Sequence, residues 1–194
     1  GERHWGMQAS QIFPELVDRF QRGNKRNTFD GWLIARGLSV EDYVPEMLKV
    51  YRSHQPDLRP FPGTSALLAL LGRDYRLGLV SDGDLSVQRR KLAALELEPH
   101  FEAVVFSDEW GREAWKPSVK PFEVMMDRLA ASPARSVYIA DNPQKDFLGA
   151  RRAGMHAIRL RRPEGLYRDL DPVSPDHAPH CEMLDLSELA SVLS

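Results

Sequence analysis

Two acidic residues follow an apolar run in the segment 137–154. The run Val-Tyr-Ile-Ala ends at Asp141, and Asp146 follows five positions later. A strand and the turn after it would bring both carboxylates to one place. Carboxylate oxygens suit Mg²⁺, which is bound through one or two acids and usually keeps several waters. The segment therefore predicts a magnesium site at Asp141 and Asp146.

Two further polar residues stand in similar positions upstream. Ser81 follows the apolar run 77–80, and Lys116 lies beyond the apolar run 104–106. About one strand-helix unit separates Ser81 from Lys116, and another separates Lys116 from Asp141. In open parallel sheets, ligands bind beyond the carboxyl ends of the strands. We therefore expect a hydroxyl, an ammonium group and a carboxylate pair in one crevice.

The chain after residue 60 alternates helical and strand patterns. In order, the pattern predicts a helix over 64–72, a strand over 77–80, a helix over 85–95, a strand over 103–106, a helix over 119–130, a strand over 137–140, a helix over 145–153, a strand over 157–160, a short strand over 181–184 and a helix over 187–193. Strands separated by helices of this length indicate right-handed crossovers and a parallel sheet. The predicted fold class is α/β, with helices on both faces of the sheet, and residues 161–179 form a surface loop.

The chain before residue 60 has a helical pattern. Apolar residues recur at three- and four-residue spacing over 12–20, from Ile12 and Phe13 onward, and again over 43–51. Gly23 and Asn24 supply a break, and Ser39 is a suitable cap for the helix that begins near residue 41. The stiff segment 59–63 carries two prolines and cannot continue a helix. We predict a helical domain over 1–58 and an α/β core over 59–194.

Three stretches of the core resemble the haloacid dehalogenase (HAD) superfamily of phosphohydrolases. They are Leu-Gly-Leu-Val-Ser81-Asp82-Gly83, then Trp-Lys116-Pro117, then Tyr-Ile-Ala-Asp141-Asn-Pro-Gln-Lys-Asp146. The resemblance extends from about residue 62 to the C-terminus, and the preceding helices are similar to the small helical cap of many members. It implies a Rossmann-like core of three layers.

The resemblance also implies a role for each matching residue. Ser81 would donate a hydrogen bond to a phosphoryl oxygen, together with backbone amides of the turn at Asp82 and Gly83. Lys116 would neutralise charge on the attacking and transferring groups, and the acids at 141 and 146 would hold Mg²⁺. Because a phosphoryl transition state spreads charge over its oxygens, a cation, a metal and a hydroxyl aimed at them supply much of the catalysis.

One element of the family pattern has no match in this sequence. Members begin with an apolar strand that ends in Asp-x-Asp, whose first acid attacks phosphorus, and this strand lies between those that end here at Ser81 and Asp141. Acids before residue 60, such as Asp18, Asp30 and Asp42, fall in helical or turn patterns. We expect a truncated chain, or a strand supplied by an upstream segment or a second chain, or a genuinely strand-less protein. Little phosphatase activity is expected from these 194 residues.

Other sites are less well supported by the spacing. Asp82 and Asp84 also form an Asp-x-Asp pair, which could be the motif that carries the attacking acid. The spacing opposes this, because no full strand-helix-strand segment bearing a Ser or Thr lies between this pair and Lys116. A helix cap at Asp84 is therefore favoured. A serine nucleophile elbow needs glycine two residues before Ser81, where Leu79 stands. The cluster of His177, His180 and Cys181 has zinc-ligand residue types, but it lies in a Pro-rich segment that is typical of a solvent-facing loop.

The predicted function is a Mg²⁺-dependent phosphohydrolase of a small phosphorylated metabolite. The alternative is a non-enzymatic HAD-like module that binds a phosphate-bearing ligand or a protein partner. A response-regulator receiver needs an early acidic pair and a phosphoacceptor Asp before its hydroxyl residue, and the order of residues here differs.

Composition limits the partners and the location. A formal net charge of −2 offers no basic surface, so no nucleic-acid partner is expected. No apolar run approaches the length of a membrane span, and residues 1–5 lack the pattern of a signal peptide. The single cysteine cannot form an internal disulfide, which favours the cytoplasm.

Overall fold

The computed structural model describes residues 6–22 and 27–193. The chain forms two compact units, Gly1–Gln55 and Pro56–Ser194. This division falls close to the predicted boundary at residue 58, and the role of the first unit as a cap stays a prediction. The predicted break at Gly23 and Asn24 lies outside the described residues. Across the two described ranges, no helix is long and apolar enough to cross a membrane.

The described part of the first unit contains three helices, and two of them lie where the apolar spacing predicts helices. The three helices are α1 (Ala9–Gln21), α2 (Thr28–Ile34) and α3 (Val40–Ser53). The Ser39 hydroxyl accepts the amide of Asp42, which confirms the predicted cap. Ile12 and Trp32 are buried in this unit, whereas Phe13 is 68% exposed. Consecutive helical residues point in directions about 100° apart, so Ile12 and Phe13 cannot both face the same core.

The second unit alternates strands and helices. Its elements are α4 (Thr64–Leu71), β1 (Gly78–Ser81), α5 (Leu85–Leu95), β2 (Ala103–Phe106), α6 (Lys120–Leu129), β3 (Val137–Ala140), α7 (Asp146–Arg152), β4 (His156–Leu160), β5 (Cys181–Met183) and α8 (Leu189–Val192). Most bounds lie within one residue of the predicted ones. The last predicted helix begins instead with a 3₁₀ turn, Leu186–Glu188.

The strands pair only in parallel, but they form two sheets rather than one. In the first sheet β1 pairs with β2, and Ser81 stands opposite Phe106. In the second sheet β4 lies between β3 and β5, and Ile158 stands between Ile139 and Cys181. The α/β class is therefore confirmed, whereas a single continuous sheet is not found among the described residues.

Helix α6 supplies much of the apolar core against β1 and β2. Its Phe122, Met125 and Leu129 are buried beside Val105 of β2. A second apolar cluster joins Ile158, Met183 and Leu189 near the C-terminus. These contacts fix the strands whose carboxyl ends carry the polar residues.

Gly149 allows α7 to lie directly against the chain that follows Lys116. A Cβ atom at this position would stand 2.4 Å from the Ser118 carbonyl oxygen and 2.8 Å from that of Pro117. We expect Gly149→Ala to lower the free energy of unfolding by about 1–3 kcal/mol, because backbone atoms must move apart. Urea denaturation measures this change.

The matched control is Arg152→Ala on the same helix. Arg152 is exposed, and such surface changes usually stay within about 0.5 kcal/mol. Alanine normally improves on glycine inside a helix by roughly 0.5–1 kcal/mol. A stabilised Gly149→Ala protein would therefore contradict the close contact.

Candidate active site

The predicted polar residues meet at the carboxyl ends of β1 and β3. Asp82 follows β1, and Lys145 lies in the loop after β3. The ammonium nitrogen of Lys145 stands 2.9 Å from Oδ2 of Asp82. This contact joins the two strand ends, although the strands belong to different sheets. Ser81, Asp82, Asp141 and Asp146 are thereby brought to one region.

Lys116 lies at the centre of this region. Its side chain is only 8% exposed, and its Nζ atom lies 2.8 Å from Oδ1 of Asp146 and 3.9 Å from Oδ2 of Asp82. Nζ also donates a hydrogen bond of 3.0 Å to the Tyr138 hydroxyl. A buried ammonium group thus faces two buried carboxylates, as a charge-stabilising role requires.

The surroundings of Lys116 keep it charged. Burial alone lowers the pKa of its ammonium group, but Tyr138, Asp146 and Asp82 together raise that pKa above its ordinary value. Burial also raises the pKa of Tyr138 to about 12, with the Lys116 charge acting in the opposite direction. At neutral pH the site therefore holds a lysinium ion and a neutral phenol.

The loop 141–146 holds Asp146 in a fixed orientation. Its Oδ2 atom accepts the Asn142 amide at 3.0 Å, and the Asn142 side chain accepts the Gln144 amide at 3.0 Å. Asp146 is buried, and its Oδ1 atom contacts Lys116 without a well-aligned hydrogen bond. One carboxylate oxygen therefore keeps capacity for a further electropositive neighbour.

Asp141 and Asp146 are suited to a hard divalent cation. Burial, and after it the negative charge of Asp146, raises the pKa of Asp141. A cation bound between the two acids would stabilise their ionised forms, and it would thus offset both the burial of Asp141 and its repulsion by Asp146. Within residues 6–22 and 27–193, no cluster of three or more metal-ligating side chains exists. A two-carboxylate site completed by waters and substrate oxygens is the mode that Mg²⁺ accepts.

The Ser81 hydroxyl lies at the carboxyl end of β1. It donates a 3.0 Å hydrogen bond to the side chain of Gln88 on α5. Gly83 has a φ of +119°, a backbone conformation that other residues rarely adopt, and its missing side chain leaves room for Gln88. The turn after β1 therefore places Ser81 beside α5.

Asp82 has a larger role than the sequence indicated. The sequence favoured a role for its backbone amide over one as an attacking acid, but its buried carboxylate accepts the Ser107 hydroxyl at 2.7 Å and the Lys116 amide at 3.3 Å, besides contacting Lys145. Asp82 therefore ties β1, the turn after β2, and the loop after β3 together.

The alternative positions take structural roles. Asp84 caps α5, since its Oδ1 atom accepts the amides of Ser86 and Val87. His180 accepts the Ala157 amide at Nδ1, and His177 pairs with the Ser174 hydroxyl. The Asp84 cap and these two histidine contacts agree with the readings favoured above.

Four residues of the site were not predicted: Tyr138, Lys145, Ser107 and Gln88. Lys145 directly precedes Asp146, which was a usable signal. Tyr138 lies inside an apolar strand and Gln88 inside a helix, where nothing in the local pattern distinguishes a site residue from a packing or solvent-facing one.

The fold and the site together define a class of protein. A parallel α/β core that joins acids, a buried lysine and a hydroxyl at its strand ends is a Rossmann-like protein with a polar site at those ends. The profile of the haloacid dehalogenase-like hydrolases matches residues 7–160. The chain belongs to this family.

Curated relatives include several phosphatases. The glyceraldehyde 3-phosphate phosphatase of Methanothermobacter thermautotrophicus is 39% identical over 137 residues, which cover 70% of this chain and 59% of the relative. The phosphoserine phosphatase of Thermus thermophilus is 33% identical over 130 residues, which cover 66% of this chain and 49% of the relative. The chain therefore spans only about half to three fifths of these relatives.

Solved structures agree on the fold. The magnesium-bound HAD hydrolase YfnB from Bacillus subtilis has a TM-score of 0.69 at 21% identity, covering 95% of this chain and 80% of that protein. A HAD phosphatase from Thermococcus onnurineus has a TM-score of 0.62 at 24% identity, and the match covers 100% of this chain and 84% of that protein.

Proposed function

We propose that this protein is a Mg²⁺-dependent phosphohydrolase of a small phosphorylated metabolite. The observation that carries the proposal is the buried Lys116 ammonium group between Asp146 and Asp82, at strand ends that also present Asp141 and Ser81. Relatives that act on glyceraldehyde 3-phosphate and phosphoserine support the substrate class.

Each side chain has a definite task in this proposal. Asp141 and Asp146 hold Mg²⁺, which when bound neutralises charge on phosphoryl oxygens. Lys116 adds a second fixed positive charge, and its ammonium can serve several oxygens. Ser81 turns its hydroxyl from Gln88 to a phosphoryl oxygen when substrate is present.

The attacking carboxylate is proposed to come from outside residues 1–194. Asp82 is already engaged by Ser107, Lys116 and Lys145, and Asp84 caps a helix. Both carboxylates are therefore already used within the protein. We accordingly expect little turnover from the 194-residue protein. A cytoplasmic location, with no nucleic-acid or membrane partner, belongs to the same proposal.

The test compares the 194-residue protein with the product of its complete reading frame. Phosphate release is measured with and without Mg²⁺ on glyceraldehyde 3-phosphate, phosphoserine and related phosphomonoesters. We expect turnover from the complete product only, and a loss of about 10²–10³-fold in kcat/KM for Lys116→Ala and Asp141→Ala, since each removes charge stabilisation in the transition state.

The matched controls are Lys120→Ala and Asp127→Ala, which remove the same charges from exposed positions of α6. They should keep wild-type rates. Robust Mg²⁺-dependent turnover by the 194-residue protein, checked by intact mass, would refute the external nucleophile. A complete product that binds phosphate compounds without hydrolysing them would support the non-enzymatic module instead.

A further inference from the structure

The chain after β4 forms a series of tight turns. The amides of Gly165, Arg168 and Leu170 each bond to the carbonyl oxygen three residues earlier, at distances of 2.9, 3.2 and 3.1 Å. We call residues 162–170 the β4 loop. Because these bonds are internal, the β4 loop has a defined backbone of its own, and its position depends on what ties it to the sheet.

A buried arginine fixes where the β4 loop lies. The Nη2 atom of Arg159 donates to the carbonyl oxygens of Tyr167 at 2.8 Å and Leu170 at 3.0 Å. In the parallel register Arg159 stands opposite Ala140, the last residue of β3. The main chain at Tyr167 is therefore held close to the strand end that Asp141 follows.

The phenol of Tyr167 lies within the field of the candidate site. Burial raises the pKa of this partly buried side chain, the charges of Asp141 and Asp146 raise it further, and the Lys116 charge acts in the opposite direction. Charge effects weaken with distance, so the groups that act on the phenol are its neighbours in space. At neutral pH the phenol is uncharged and can donate a hydrogen bond.

The β4 loop flanks the proposed phosphoryl position. On one side of β3, the loop after this strand meets the turn after β1 through Lys145 and Asp82, and the phosphoryl position lies there, between Ser81 and Asp141. β4 pairs with the other edge of β3. The phenol therefore approaches the site from the side opposite to Ser81.

The other donors of the site serve the phosphoryl group in the proposed function. Lys116 and Ser81 are assigned to phosphoryl oxygens, and the Tyr138 hydroxyl accepts a hydrogen bond from Lys116. A phenol at the flank adds a neutral donor for a different part of the substrate.

We propose that Tyr167 determines specificity by donating a hydrogen bond from its hydroxyl to an oxygen on the carbon chain of the substrate. This inference rests on the proposed function, because it takes the phosphoryl position from it. The substrate class is a short phosphomonoester that carries a hydroxyl or carbonyl oxygen close to its phosphate. A compound without that oxygen forfeits the hydrogen bond and is used less well.

Tyr167→Phe in the product of the complete reading frame tests this inference. The variant keeps the ring and removes one hydroxyl. Its substrates are glycerol 1-phosphate and propyl phosphate, which differ only in the two hydroxyl groups of the chain. We expect kcat/KM to fall about tenfold for glycerol 1-phosphate and less than about twofold for propyl phosphate, since only the first can use the phenol.

The matched control is Tyr75→Phe. Tyr75 is 45% exposed and precedes β1, at the end of that strand away from the site. It should leave both substrates at wild-type rates. Chymotrypsin cleaves after phenylalanine as well as tyrosine, so an unchanged rate of cleavage at position 167 checks that the β4 loop of Tyr167→Phe keeps its structure.

The substrate pair separates a chain contact from the other roles that Tyr167 could have. Equal losses for the two substrates would overturn the inference, because they would indicate a phosphoryl contact or a structural effect. Unchanged rates for both substrates would also overturn it. So would a wild-type enzyme that uses propyl phosphate as well as glycerol 1-phosphate.

A binding measurement separates this inference from the proposed function. If the complete product hydrolyses neither compound, the proposed function fails, and calorimetry with Mg²⁺ and the same two compounds decides the contact. Binding of glycerol 1-phosphate that is about tenfold weaker in Tyr167→Phe, with propyl phosphate unchanged, would support it. Equal binding by the variant and the wild type, or no binding of either compound, would overturn it.

Discussion

Replacing Lys116 with methionine should lower the free energy of unfolding by about 3–5 kcal/mol. Methionine nearly fills the same volume, so the change removes mainly the ammonium charge. Asp146 then remains buried without its counter-ion, Asp82 keeps only its contact with Lys145, and Tyr138 loses its hydrogen-bond donor. Urea denaturation at neutral pH measures the effect.

Lys145→Met is the matched control for this prediction. Lys145 also contacts Asp82, but its side chain is 39% exposed and solvent screens the pair. We expect a loss of about 1 kcal/mol or less. The double variant Lys116→Met with Asp146→Asn should recover part of the free energy of unfolding that Lys116→Met loses, since it removes a buried charge that has no counter-ion. An unchanged Lys116→Met protein would show that the buried cluster contributes nothing to stability.

Two of the site residues that the sequence predicted share one local signal. Ser81 and Asp141 each follow an apolar run, and a parallel sheet brings such positions to one edge. Lys116 is not attached to a strand end in this way. Lys116 was predicted as a site residue because it lies between Ser81 and Asp141 in the sequence. The structure shows it buried and in contact with Asp146.

The residues that were missed lack that signal. Tyr138 occupies a strand position whose pattern fits a packing residue, and only the three-dimensional contact with Lys116 reveals its role. Asp82 was read as part of a turn because the hydroxyl and amide that engage it come from residues 25 and 34 positions away. Contacts between residues so far apart in the sequence produce no local pattern from which they could be predicted.

For the segment 161–179, the amino-acid composition predicted the type of structure but not the contacts that hold it. Its prolines, acids and arginines predicted a surface loop, and the structure has no strand or α-helix there. The loop is nevertheless held by Arg159, a buried cation inside β4. A single arginine in the run Ala-Ile-Arg-Leu gives no indication of which carbonyl groups it will meet.

Arg159→Met should lower the free energy of unfolding by about 1.5–3 kcal/mol, the usual range for hydrogen bonds to a charged group. The guanidinium group is 2% exposed, pairs with Glu182 at 2.9 Å, and donates to the carbonyl oxygens of Tyr167 at 2.8 Å and Leu170 at 3.0 Å. Its removal leaves Glu182 and the loop carbonyls without a shared donor. Urea denaturation measures the stability, and chymotrypsin cleavage after Tyr167 reports release of the loop.

Arg161→Met separates this role from general loss of charge. Arg161 contacts the same Glu182 and the Arg168 carbonyl oxygen, but its side chain is 42% exposed, so we expect a loss of about 1 kcal/mol or less and little added cleavage. Burial and the negative charge of Asp141 raise the pKa of Tyr167, which places the phenol within the field of the acidic site. Release of the loop should therefore bring that pKa back toward its ordinary value, measurable by ultraviolet titration. A resistant loop in Arg159→Met would show that the carbonyl contacts do not hold it.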